Sequence, residues 1–244
     1  MRCAILTDIH ANREAFDAAL SSAAARGVDQ WVLLGDMVGF GPDPDYVLDK
    51  IEAMVAKGAV ALRGNHDRHL PTPAKTLNPA ARRVIDWTVN KLNARQKLFL
   101  GERPLTYRLG DALFVHASAH HPQDWNYINS AADARACFAA TDARITLCGH
   151  GHVPRLFALK DQVLPQDIAP DLAVTLDRPR RWVGVVGSVG MPRGARAVAH
   201  YCILDSAANT LSYHECPYDA GVTAQKIRAT GMPLARHLGL LRLG

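Results

Sequence analysis

Several of the chain's eleven histidines stand within two residues of an aspartate or asparagine, just after a short apolar run. "CAILT" runs into Asp8 and His10, and "WVLL" into Gly35-Asp36. "AVALR" runs into Gly64-Asn65-His66-Asp67, "ALFV" into His116, and "ITLC" into His150 and His152. Asp8, His10, Asp36, Asn65, His116, His150 and His152 make seven oxygen and nitrogen donors with no thiolate among them. One ion takes about four to six ligands, so this set suits two ions sharing a carboxylate. Asp36, alone behind its glycine, is the natural bridge. Imidazole with carboxylate fits Mn, Fe, Zn, Co or Ni better than Ca or Mg, which prefer all-oxygen shells. Two such ions about 3.5–4 Å apart acidify a shared water and neutralise charge as a group is displaced in line.

Donors so far apart in the chain must be gathered by the elements that carry them. Residues 3–9 read as a buried strand. Asn12 then caps a helix with Phe16, Ala19, Leu20 and Ala23 at helical spacing, which Gly27 stops. A second strand at 31–34 leads through a Gly/Pro-rich loop to Asp43, read as a cap, and Pro44, which open another helix. Gly58 ends that helix before a third strand at 59–62. Alternating strands and helices with short loops predict a parallel sheet, and in such a sheet the loops at the strands' carboxyl ends share one rim. Five polar clusters at five strand ends therefore predict one site.

Beyond this unit, residues 71–100 read as a helical insertion around Val84, Trp87 and Leu92. "PLTYRLGDALFVHAS" reads as a hairpin turning at Gly110-Asp111. A helix is expected over 131–140, and further strands in "RLFAL", "WVGVV", "AVAHYCIL" and "TLSYHECPY", the last two paired across "DSAAN". A short helical tail follows from about 221. The stretch 160–181, rich in Pro, Asp and Arg, reads as irregular. The fold class is α/β, a single domain over 1–244.

The chain has 244 residues, 48% hydrophobic and 21% charged, the balance of an ordinary globular protein. No apolar run approaches the roughly 18 residues that span a bilayer. The opening apolar run breaks too early for a signal peptide, so a cytoplasmic protein is expected. Five scattered cysteines with no C-x-x-C pair argue against a disulfide framework or thiolate cage. The net charge of +5 is spread along the chain rather than massed, which reads as a solvated surface more than a nucleic-acid footprint.

"TDIHAN", "GDMVGFGPDP", "RGNHD", "FVHAS" and "CGHGH" together resemble the calcineurin-like metallophosphoesterase superfamily, whose pattern is D-x-H, G-D, G-N-H-D/E, H and G-H-x-H. Gly187 to Arg193, "GSVGMPR", resembles the small bacterial branch described as YfcE-like or diadenosine-tetraphosphatase-like. The resemblance implies a two-sheet mixed β-sandwich flanked by helices. It implies that Asp8, His10 and His152 hold a first divalent transition metal, that Asn65, His116 and His150 hold a second, and that Asp36 bridges them. His66 would be the general acid that protonates the leaving oxygen, and Asp67 would orient its ring, with Gly64 letting the backbone turn tightly. The implied reaction is hydrolysis of a small phosphomonoester or phosphodiester by a metal-bridging hydroxide. Gly151 stands where Thr is common, and Ala11 where Gly is common; neither removes a ligand.

Other readings stay open: a non-catalytic, metal-stabilised binding protein on the same fold, or a protein phosphatase. Substrate choice would lie in 71–100, 117–127 and 160–181. Trp87, Trp125 and Tyr127 suit either base stacking or packing. His120 and His121, with Arg178, Arg180, Arg181 and Arg193, suit either phosphate contact or a solvated face.

Overall fold

The structure is a computed structural model, and it describes residues 1–67, 79–193 and 196–231. In chain order the elements are β1 (Arg2–Leu6), α1 (Arg13–Ala25), β2 (Gln30–Leu33), α2 (Pro44–Val55), β3 (Val60–Ala61), α3 (Pro79–Lys91) and α4 (Ala94–Gly101). They continue as β4 (Thr106–Leu109), β5 (Ala112–Val115), α5 (Ala131–Ala139), β6 (Ile145–Cys148), β7 (Arg155–Leu159) and β8 (Val163–Gln166). The last are β9 (Ala173–Thr175), β10 (Arg181–Val185), β11 (Val198–Asp205), β12 (Thr210–Pro217) and α6 (Ala220–Ala229).

They form two mixed sheets of six strands each, ordered β3-β2-β1-β11-β12-β9 and β4-β5-β6-β10-β7-β8. β1, β2 and β3 run parallel in the first, and β5, β6 and β10 run parallel in the second. Side-chain alternation explains the layering. Ala4 and Leu6 of β1 pack with Phe16 and Ala19 of α1 and with Leu48 and Ile51 of α2. Cys3 and Ile5 point the other way, into the core between the sheets with Phe114, Leu147 and the fully buried Trp182. The outer face of the second sheet, with Val183 and Val185, is covered by Ala134 and Phe138 of α5. The order of layers is helix, sheet, sheet, helix.

Asn12 caps α1 by accepting the amide of Ala15, and Gly27 beyond its end takes φ +68°. Asp43 does not cap α2 with its side chain. Its carboxylate is drawn to Lys226 of α6 at 2.9 Å instead. The expected irregular stretch 160–181 contains two strands. β8 pairs with β7 and β9 with β12, each as the edge of its sheet. Pro165 within β8 hides that strand from a sequence reading, because proline suits only an edge. Of the expected insertion, residues 71–78 lie outside the described residues, as do residues 232–244 of the tail.

Candidate metal centre

The loops after β1, β2 and β3 meet those after β5, β6 and β10 on one rim where the sheets come together. Two groups of donors converge there: Asp8 with His10 and His152, and Asp36 with His116 and His150. Each group draws from both sheets. Asn65 joins the second group, its Oδ1 lying 3.1 Å from His116 Nε2. All seven sequence-derived ligand candidates are thus brought together.

The carboxylates are presented alike. Asp8 Oδ2 accepts from Thr7 Oγ1 and from the His150 amide, both at 2.9 Å. Its Oδ1 is buried without a hydrogen-bond partner, 3.2 Å from His152 Nε2 and 3.8 Å from His10 Nε2. Asp36 Oδ1 accepts from the His66 amide at 2.7 Å, while Oδ2 is buried and partnerless. That oxygen lies 3.8 Å from His10 Nε2 and 3.4 Å from His116 Nε2, so it faces both groups.

Backbone carbonyls set the tautomers of three imidazoles. His10 Nδ1 meets Val38 O at 3.3 Å, His116 Nδ1 meets Leu34 O at 3.1 Å, and His152 Nδ1 meets Met191 O at 2.8 Å. A carbonyl only accepts, so each Nδ1 is assigned a proton, and Nε2 is left pointing inward as the atom a cation would take. The Nε2 atoms of His10 and His152 face each other at 3.2 Å. Two buried carboxylate oxygens without a hydrogen-bond partner face these inward-turned nitrogens, the oxygen and nitrogen donor set that suits a divalent cation.

Asp8, His10, Asp36, His150 and His152 all have left-handed backbone, with φ between 50° and 63°. Non-glycine residues rarely hold that region, and such strain concentrates at functional sites. A family model described as the calcineurin-like phosphoesterase superfamily domain matches residues 1–209. The chain belongs to this superfamily. It is 31% identical to a metallophosphoesterase from Sphaerobacter thermophilus, whose crystal structure matches with a TM-score of 0.85 over 100% of this chain and 98% of that one. A crystallised hypothetical protein from Pyrococcus horikoshii OT3 shares the fold at 18% identity, with a TM-score of 0.78 over 99% of this chain and 97% of that one. An uncharacterized protein of Methanocaldococcus jannaschii is 27% identical over 238 residues, 94% of this chain and 93% of its own length. Membership makes the chain an enzyme, a hydrolase of the metallophosphoesterase class.

In this phosphoesterase Asp67 does not touch the ring of His66. Its Oδ1 accepts the amides of Met37 and Val38 at 2.7 and 3.2 Å, and its Oδ2 accepts that of Gly64 at 2.8 Å. With three amides converging on it, the carboxylate ties the β3 loop to the β2 loop. His66 Nδ1 is buried without a partner, and the ring packs edge-on against Phe40, centroids 4.6 Å apart, and His10 at 5.4 Å. Gly64 is required for close approach rather than for a turn, since a Cβ there would overlap the Asp36 carboxylate and amide.

Burial pushes the His10 imidazole down to about 3, and burial with the neighbouring His116 pushes His150 down to about 4. Burial opposes charge on His116 as well, but Asp36 and Asp8 outweigh it and raise that ring to about 9. Burial would raise Asp8, yet the His152 ring beside it holds the carboxyl at about 2. Asp67 is raised to about 7 by burial and the Asp36 charge, against the pull of its amide donors.

The strap Gly187–Arg193 holds the site in ways no residue type announced. Ser188 Oγ donates to Asp8 O, the Gly190 amide donates to the same carbonyl, and Met191 O orients His152. His120 and His121 are exposed and pack on each other, in neither ligand group. Arg178, Arg180 and Arg181 precede or begin β10, at the end away from the rim. They bond Asp111, Asp177 and the Ala143 carbonyl, so a phosphate-binding role at the centre is excluded for them.

Proposed function

We propose that this metallophosphoesterase is a dinuclear enzyme that hydrolyses small phosphomonoesters or phosphodiesters, nucleotide-like ones included. One observation carries the reading: each buried carboxylate keeps one oxygen fixed by donors and aims the other, unpartnered, at inward-facing imidazole nitrogens. Asp8, His10 and His152 would hold one cation, Asn65, His116 and His150 a second, and Asp36 both. Manganese is our first choice among Mn, Fe, Zn, Co and Ni. Cations there would supply Lewis acidity, stabilising phosphoryl charge and lowering the pKa of the attacking water.

His66 stands beside this centre as general acid. Burial lowers its pKa, so the resting ring is neutral at pH 7. An anionic phosphoester within hydrogen-bond reach favours the imidazolium, so the substrate loads the acid that serves it. As water's oxygen bonds to phosphorus and the ester P–O bond breaks, the His66 proton passes to the leaving oxygen. Asp67 holds the loop carrying His66 rather than its ring.

We take residues 1–244 as one catalytic domain. The five cysteines are buried and unpaired, which suits a reducing compartment such as the cytoplasm. Among the described residues no helix is long and apolar enough to cross a membrane. The test is elemental analysis of purified protein together with a screen of phosphomonoesters, diesters and nucleotides under each divalent metal. Two metal equivalents and metal-dependent turnover are expected. Bound metal without turnover on any phosphoester would favour the non-catalytic binding protein instead.

A further inference from the structure

Three imidazoles of the centre are locked by a carbonyl on Nδ1, and the fourth is not. Among the described residues no hydrogen bond holds the ring of His150, although its backbone sits at φ +63° between two glycines and its amide is spent on Asp8. What meets that ring is Tyr127, stacked at 4.1 Å between centroids and 22° between planes. The His116 ring packs against His150 from another direction, at 5.2 Å and 63°.

Tyr127 is an unusual ring to find on a rim, being 55% exposed. Its hydroxyl makes no hydrogen bond among the described residues, and one face of the ring packs on His150. The chain around it is built to hold it there. Ile128 is buried in the core under α5. Ser130 and Asp133 form a reciprocal cap at the start of α5, and Asp133 also accepts the Asn129 amide. On the other side, Trp125 sits edge-on to His116 at 5.7 Å.

We infer that Tyr127 is a positioning residue for the second cation: by stacking on His150 it fixes the orientation of the one ring of the four that no backbone carbonyl holds. Outer partners of ligating histidines fix ring orientation, and losing one costs about 10–100-fold in metal affinity. The 117–130 segment thereby becomes part of the Asp36–His116–His150 site and not of the Asp8–His10–His152 site. This rests on the dinuclear reading above.

The test is calorimetric titration of the metal-free full chain with Mn2+, for the wild type, Tyr127→Phe and Tyr127→Ala, with the melting temperature of each metal-free protein measured alongside. The wild type should take up two equivalents. Tyr127→Phe, which keeps the ring face, should match it. Tyr127→Ala should bind one equivalent as before and the other at least about tenfold more weakly, with the metal-free melting temperature unchanged. Wild-type affinities for both ions in Tyr127→Ala would overturn the inference. So would equal losses in the Phe and Ala variants, which would assign the role to the hydroxyl, or equal weakening of both ions with a lowered metal-free melting temperature. A wild type that binds no Mn2+ at all would overturn the metal-centre reading and this inference with it, whereas the other outcomes leave that reading standing.

Discussion

Asp36 Oδ2 lies 3.4 Å from His116 Nε2, across the junction of the two sheets, buried and without a hydrogen-bond partner. In the metal-free protein that carboxylate faces the His116 ring whose charge it favours, and it is the natural meeting point for a cation. Asp36→Asn should therefore weaken both states, the metal-bound one more. Its amide oxygen can still accept the His66 amide, but the charge beside His116 is lost, so the metal-free variant should melt somewhat below the wild type. Mn2+ should then raise the melting temperature far less than in the wild type, which gains about 2.7 kcal/mol at a hundredfold excess over Kd. Phosphoesterase activity should fall by more than about 100-fold, the upper end of the cost of an outer-partner change. Thermal melts with chelator and with Mn2+ check both halves. A variant that gains as much from Mn2+ as the wild type would remove Asp36 from the centre.

His66 and Asp67 are neighbours in sequence with separable jobs. His66→Ala deletes a ring with no hydrogen bond to its Nδ1, so folding should be nearly untouched while kcat on an alkyl phosphodiester falls about 10²–10⁴-fold. Asp67→Asn keeps the shape but presents an NH2 group to backbone amides that need an acceptor. A lost buried acceptor costs about 1–3 kcal/mol, so its signature should be a lower melting temperature with a smaller loss of kcat. Denaturation curves and steady-state kinetics on both variants separate the roles. An Asp67→Asn variant of full stability with His66→Ala-like kinetics would restore the idea that Asp67 acts on the ring.

Away from the centre, Asp111 at the β4–β5 turn accepts from Arg144 at 2.6 Å and from Arg178 at 3.1 Å. The hydrogen bond from Arg144 is the main reason its carboxyl titrates below the usual range. A depressed carboxylate contributes stability above its unfolded pKa, near 3.9, and loses it as pH falls through the lower folded value. Asp111→Asn should thus lower the melting temperature slightly at pH 7, as expected for a half-exposed pair worth up to about 1 kcal/mol. As pH falls through that lowered folded value the wild-type group is protonated too, and the two proteins should come to melt together. Melts at both pH values decide it, and a gap that persists in acid would mean the contact is not electrostatic.

The candidate donors that the fold gathers were legible because their chemistry is written locally. Asp8 with His10 and His150 with His152 stand in short pairs immediately beyond apolar runs, and a parallel arrangement of those runs allows only one rim. What was not legible is what the backbone does. The acceptors that set the ring tautomers are carbonyls of Leu34, Val38 and Met191, and a carbonyl leaves no mark on residue type. Asp67 looked like a partner for His66 because it is adjacent, but adjacent side chains in a turn need not meet. Proline hid β8, and the left-handed backbone of two aspartates and three histidines follows from no propensity rule. Those conformations are imposed by the strand ends and by the strap that follows β10.

The two glycines around His150 show how unequal similar residues become once the fold closes. A Cβ on Gly149 would overlap Thr7 Oγ1 and the Asp8 carboxylate, atoms that themselves hold the aspartate in place. On Gly151 it would meet Val185 Cγ1 at 3.6 Å, an ordinary contact, and the backbone there is not left-handed. Gly149→Ala should therefore cost about 1–3 kcal/mol through overpacking and displace Asp8 from His152, abolishing one of the two Mn2+ equivalents proposed above. Gly151→Ala should bind both ions and melt within about 0.5 kcal/mol of the wild type. Metal stoichiometry and denaturant unfolding on the pair make the comparison. If Gly151→Ala lost metal as Gly149→Ala does, the loop would need flexibility at both glycines rather than space at one.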